Sequence, residues 1–183
     1  MQRSFRIGNG AKGLGALGVG LCLALAHGPA ANAEAGALTA QAVIDRAEID
    51  DLITRYYYNF GHASAESFAA FYADDAELVL GPNSYKGKAG IEGAYRGAGG
   101  APNPAANRFS FNVSISNPLI VVHGKTATAQ LIFTEIVIDK QGDAPRLLQQ
   151  GREYDHLVKV KGQWRLKKRQ IMPGAQEPAG WPG

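Results

Sequence analysis

Several things are scarce in this sequence, and each scarcity closes off a class of function. One cysteine occurs in 183 residues, Cys22, so neither an intrachain disulfide nor a thiolate metal set can be built. The four histidines show no metal-ligand spacing with the acids, so no metal and no cofactor is expected. No apolar run reaches the roughly 20 residues that a membrane-spanning helix needs. An excess of charge is missing too. The chain has 19 Lys+Arg against 16 Asp+Glu, and three of the bases (Arg3, Arg6 and Lys12) sit in the first twelve residues. The basic stretch KVKGQWRLKKR reads as a solvated face, and no nucleic-acid partner is expected.

What is present begins with a leader. Three early bases without an acid, an apolar run LGALGVGLCLALA and the small-x-small site Ala31-Asn32-Ala33 form a secretory signal peptide over residues 1–33. Its apolar core is too short for a permanent membrane anchor, which predicts a periplasmic or secreted protein. Residues 34–43 are small and polar and read as a flexible lead-in. The stretch PGAQEPAGWPG, residues 173–183, has no pattern and reads as a disordered tail. One domain remains, residues 44–172.

Within it, DRAEIDDLITRYYYNF places Ile49, Leu52, Ile53, Tyr56 and Phe60 on one face of a helix that Gly61 stops. Ser64 caps a shorter helix over AESFAAFYA. ELVL is a short strand, GPNS a turn into YKG, and KAGIEGAYRGA a third helix. From Arg108 the character changes. RFSFNVSIS alternates, with Phe109, Phe111, Val113 and Ile115 on one face, and three further strands follow through the turns HGK, KQGDAP and KGQ. Helices first and an antiparallel meander afterwards predict an α+β fold. One sheet face packs on the helices; the other is covered most simply by a second copy, predicting a homodimer through the outer sheet face.

The stretches RAEIDDLITRYYYNF, ESFAAFYADDAEL, YKGKAGI, SNPLIVVHGKTATA and GREYDHLVKVKGQWRLKKRQI, in that order, resemble the SnoaL-like family of the nuclear transport factor 2-like, or cystatin-like α+β, superfamily. The resemblance covers about residues 44–172. It implies a cone-shaped curved antiparallel sheet wrapped around the long N-terminal helix, with two shorter helices and a deep apolar pocket for a small apolar molecule. Related groups include scytalone dehydratase, ketosteroid isomerase, polyketide cyclases and the largely structural dioxygenase small subunits, so the fold alone does not name a reaction.

Carried over residue by residue, the resemblance removes more chemistry than it supplies. Tyr56 matches the tyrosine of the family's dehydratases, but Gly61, with His62 beside it, stands at their aspartate. Val113 stands at their central histidine and Leu131 near the second. Leu80 and Gly81 fall where ketosteroid isomerases carry their base. The usual acid–base dyad cannot be assembled.

The candidates that remain are Tyr56, His62 and Asp155 as a catalytic set. Phe109, Phe111, Val113, Leu131, Glu135 and Glu153 then line the pocket. Each has a plainer reading. Tyr56 is a core residue with a satisfied hydroxyl, and Tyr57 and Tyr58 are surface or dimer contacts. Asp155 pairs with Arg152, Arg165 or a backbone amide. Glu135, if Val113 faces inward, shares a side with Glu153 and Asp155; an outward orientation is otherwise expected of a carboxylate in LIFTEIVI. His62 is either a base in the loop closing the first helix or an exposed side chain. His123 and His156 read as surface or interface residues. Two function classes follow: a cofactor-free lyase, isomerase or cyclase acting by proton transfer on a small carbonyl or hydroxyl compound, or a non-catalytic dimer that binds an apolar ligand.

Overall fold

A computed structural model describes residues 39–58, 60, 64–97 and 108–182. The leader, Gly61, His62 and the glycine-rich stretch 99–107 lie outside the described residues.

Helix α1 (Ala40–Tyr58) buries Ile49, Leu52, Ile53 and Tyr56, the stripe that a 3.6-residue repeat dictates. It starts inside the segment expected to be flexible. The Thr39 hydroxyl accepts the Ala42 N–H at 3.1 Å, a cap that begins the helix ahead of its apolar face. Helix α2 (Ala65–Ala69) opens as expected on Ser64, whose hydroxyl accepts the Ser67 N–H at 3.2 Å. It ends early, and Tyr72 already belongs to strand β1 (Tyr72–Leu80), which is longer than ELVL alone. β2 (Asn83–Lys86) and helix α3 (Gly87–Tyr95) follow. Four long strands complete the chain: β3 (Ser110–His123), β4 (Thr126–Ile138), β5 (Arg146–Val160) and β6 (Gln163–Pro173).

The six strands form one curved, unclosed sheet in the order β2-β1-β6-β5-β4-β3. All neighbours are antiparallel except β1 and β6, which run parallel. α1 packs against β3 and β6. Strand parity sets the inner face: along β4, Ala127, Ala129, Leu131, Phe133, Glu135 and Val137 are all buried. Gly151 on β5 lies under the Phe133 ring, where an added Cβ would sit 2.7 Å from two ring carbons; the close approach needs a glycine.

β6 breaks its own alternation. Leu166 opposes Leu157 and Lys168 opposes His156, so Lys167 is an extra residue in the strand. Such a bulge shifts the parity of everything after it. Lys168 turns outward, and Arg169 joins the inner face opposite Asp155.

The tail is the second departure from expectation. Rather than being disordered, described residues 174–182 lie on the outer face. The Trp181 ring meets Tyr154 and His156 edge-on, with centroids 5.0 and 4.9 Å away. Among the described residues no helix is long and apolar enough to cross a membrane.

Candidate active site

The bulge in β6 creates the site. Arg169, Asp155 and Glu153 have no solvent-accessible surface. Arg169 donates from Nε to Asp155 Oδ1 at 3.0 Å and from Nη2 to Oδ2 at 2.9 Å, a two-bond fork that takes up both carboxylate oxygens. Glu153 Oε1 lies 2.8 Å from the same Nη2. That contact is an ion pair by distance but not a hydrogen bond by angle, and Oε1 has no hydrogen-bonding partner. Arg169 Nη1 is also buried without one.

The end of α1 closes over this trio. The Tyr57 hydroxyl donates to Glu153 Oε2. The guanidinium carbon of Arg169 stands 4.0 Å from the centroid of the Tyr56 ring and 5.6 Å from that of Tyr57, a cation over aromatic faces in a dry site. The Tyr56 hydroxyl meets that of Tyr95, which lies 3.0 Å from that of Tyr72. Phe60 and Phe68 pack beside Tyr56, and Phe111 lies tilted against Phe60 with ring centroids 5.6 Å apart.

Electrostatics follow from burial. Glu153 is pushed well above the usual carboxyl range by burial, which outweighs the Arg169 charge, and the neighbouring Asp155 charge adds to the rise. Burial and the acid beside it likewise raise Tyr57 well above 10.0. Burial raises Tyr56, Tyr72 and Tyr95 as well, so the phenols are neutral at pH 7. Burial works against the charge of Arg169, but Asp155 and Glu153 more than offset it, and the guanidinium stays charged.

Most of the expected residues share this inner face. Asp155 is buried, but its partner is Arg169 rather than Arg152, Arg165 or a backbone amide, with one guanidinium hydrogen bond to each oxygen. Tyr56 sits in the core with its hydroxyl satisfied. Tyr57 is not a surface residue: it is half-buried on Glu153, whereas Tyr58 is exposed. Phe111 and Leu131 are buried and Val113 packs against the core, but Phe109 is 57% exposed and lines nothing here. Glu135 faces inward, 7% exposed, and accepts from Gln149 Nε2 at 2.7 Å. Burial raises its pKa against that bond and the Arg108 charge. His156 is on the outer face.

Arg169 and Tyr57 are the residues that sequence reasoning missed. Two inward acids on one strand required a buried cation, and Ile49, Ile53 and Tyr57 recur every four residues along α1; both signals were there to read. Among the described residues no group of three His, Cys, Asp or Glu side chains is placed to hold a metal. An open cleft of about 430 Å³ lies along α1 near Glu48, Arg55, Phe71 and Trp164, and it touches none of the groups above.

Comparison with known proteins places this chain in a family. Residues 41–170 match the model of the SnoaL-like domain. No curated protein matches in sequence. Among solved structures, a Mycobacterium tuberculosis protein of unknown function superposes with a TM-score of 0.63 at 19% identity, over 76% of this chain and 78% of that one. A putative scytalone dehydratase from Novosphingobium aromaticivorans gives 0.59 at 22% identity, over 75% and 95%. A protein with a cystatin-like fold from the same organism gives 0.62 at 20%, over 76% and 86%. At these identities the likeness is one of fold, the cystatin-like fold of a nuclear transport factor 2-like protein, and the match across nearly the whole domain makes this chain a member of the SnoaL-like family.

Proposed function

We propose that this chain is an exported SnoaL-like pocket protein that binds a small apolar carbonyl or hydroxyl compound and acts on it as a cofactor-free lyase, isomerase or cyclase. The observation that carries the reading is the Tyr57 hydroxyl on a fully buried Glu153 carboxyl beside Arg169. Strongly perturbed carboxyls with a defined charge partner concentrate at working sites. On this reading a bound ligand turns the Tyr57 hydroxyl away from Glu153 Oε2 toward the ligand, and protonated Glu153 donates to the Tyr57 oxygen in its place. As the ligand oxygen takes the phenolic hydrogen, Tyr57 takes the one from Glu153. The phenol ends neutral and the charge ends on the carboxylate, where Arg169 stabilises it. The ligand oxygen is then a leaving hydroxyl or a carbonyl on its way to an enol. Asp155 holds Arg169 in place, a positioning role in place of the catalytic one expected from the sequence. His62 remains the candidate for the opposing base.

The test is turnover of a panel of small hydroxy-carbonyl compounds by residues 34–183. Glu153→Gln and Tyr57→Phe should each lower kcat by about 10²–10⁴-fold. Full turnover in both variants would falsify the relay. N-terminal sequencing of the protein recovered from its host tests export, with Glu34 expected as the first residue.

A second reading rests on a separate observation: Arg169 occupies both Asp155 oxygens, and Val113 and Leu131 leave the inner face apolar where the family's dehydratases are basic. On this reading the protein retains a ligand without converting it. Native mass spectrometry separates the two, because a discrete bound molecule recovered unchanged after incubation favours binding alone. Both readings include a homodimer that pairs the outer sheet faces.

A further inference from the structure

The outer face of the sheet carries an occupant of its own. The chain turns at Gly174, whose positive φ of 64° suits a glycine and whose N–H donates to Gln150 O at 3.2 Å. The Tyr154 hydroxyl donates to Gln176 O at 3.0 Å. Trp181 donates from Nε1 to Gln130 Oε1 at 3.1 Å, and its ring packs on Tyr154 and His156. Tyr154 is only 1% exposed despite pointing away from the helices. Three polar contacts and one aromatic anchor thus seat a Pro/Gly-rich segment across β5 and onto β4.

On β3 and β4 the ground beside it is uncharged, with Arg152 of β5, opposite Ile132, at its border. The residues of β3 and β4 that share the outer face include Asn112, Ser114, Ser116, Ile132, Thr134 and Ile136, paired across the two strands, with no acid or base among them. Interface centres are poor in charge, and a two-fold interface sets a patch against itself, where charge would meet like charge. A second copy of this chain is therefore the occupant this face suits. Gln130 lies on β4 beside Ile132, within the same surface.

We propose that residues 174–182 form a strap that competes with a second copy of the chain for the outer sheet face, so that the tail sets the strength of self-association. The inference rests on the outer-face homodimer proposed above. The strap is tethered next to its seat, which raises its local concentration over that of a free partner. Dimerisation requires Trp181 to leave Tyr154 and Gln130.

Sedimentation velocity over a range of concentrations tests this on residues 34–183, on the same chain ended after Pro173, and on full-length Trp181→Ala. The last keeps its length and every β6 contact, so it reports even if the shortened chain fails to fold. Both variants should dimerise at a concentration at least about tenfold lower than the parent, a change of about 1.4 kcal/mol. Equal midpoints for all three, including no association by any, overturn the strap, as does weaker association on shortening. Ile132→Glu in the shortened chain separates the two proposals. It should return that chain to monomer; dimers that survive it mean that pairing uses another surface, and the competition then fails with the outer-face dimer.

Discussion

Charged side chains tie both ends of α1 to the sheet, and the two ties are built differently. Near its start, Asp45 accepts from Lys159 Nζ at 2.5 Å and from Trp164 Nε1 at 3.1 Å, while Glu48 gives Lys159 a second partner at 2.9 Å. Lys159 keeps 18% of its side chain in solvent, and each group has a mate. Hydrogen bonding to Lys159 holds Asp45 below the ordinary carboxyl range. Near the end of α1, one cation serves two acids with no solvent at all, and two polar atoms go without hydrogen bonds. The first tie is arranged for stability. The second holds a carboxyl whose pKa burial pushes well above the usual range, where apolar residues of similar volume would often be no less stable.

Breaking each tie tests that contrast. Arg169→Met should have the largest effect, because it strands two buried carboxyls; a loss of about 3–5 kcal/mol is expected, read from urea denaturation. Next comes the pH dependence of Glu153. Its folded pKa lies above the unfolded value near 4.5, so its contribution to stability is fully present below pH 4.5 and is lost as pH rises toward the folded value. Glu153→Gln should remove this slope, so that the variant gains on the parent steadily as pH increases; parallel stability curves would show that Glu153 is ionised throughout. Asp45→Asn should cost less, about 1–2 kcal/mol, since Lys159 retains Glu48 and water, and thermal melts at low and high salt would show it. Tyr56→Phe is the mildest. It removes one hydroxyl from the Tyr56–Tyr95–Tyr72 chain and should cost about 0.5–1.5 kcal/mol, with the ring still stacked on Arg169.

The balanced tie was no easier to read from the sequence than the unbalanced one, and the reason is the same. Local periodicity finds faces but not partners. The α1 stripe, the Ser64 cap and the alternation of β3 from Phe111 to Ile115 depend on neighbours within one element, and they read correctly. Parity and the family resemblance put Glu153 and Asp155 on a common face and Glu135 with them only if Val113 faced inward; Glu135 was otherwise expected outward, yet it is buried. Arg169 was not placed with them, because the parity count along WRLKKRQIM has no way to register the extra residue at Lys167. Tyr57 fell one residue off the main stripe and looked exposed until Glu153 came to meet it from the sheet. The tail misled for a different reason. A lone tryptophan among prolines and glycines has no period, and only Tyr154, His156 and Gln130 together explain its place.

The parallel pairing of β1 with β6 carries a kinetic consequence. β3 to β6 can zip together through successive hairpins, each closing a short loop. β1 has only the four-residue β2 as a local neighbour and must wait for Leu166 to Ile171, the last strand to be synthesised. Contacts that distant in sequence form late, because the entropy of closing the intervening chain must be met first. Refolding should therefore show a fast meander followed by a slower closing step. Until that step is complete, Tyr72 and Leu78 lie open to proteases and to one another, and the chain is most prone to aggregate.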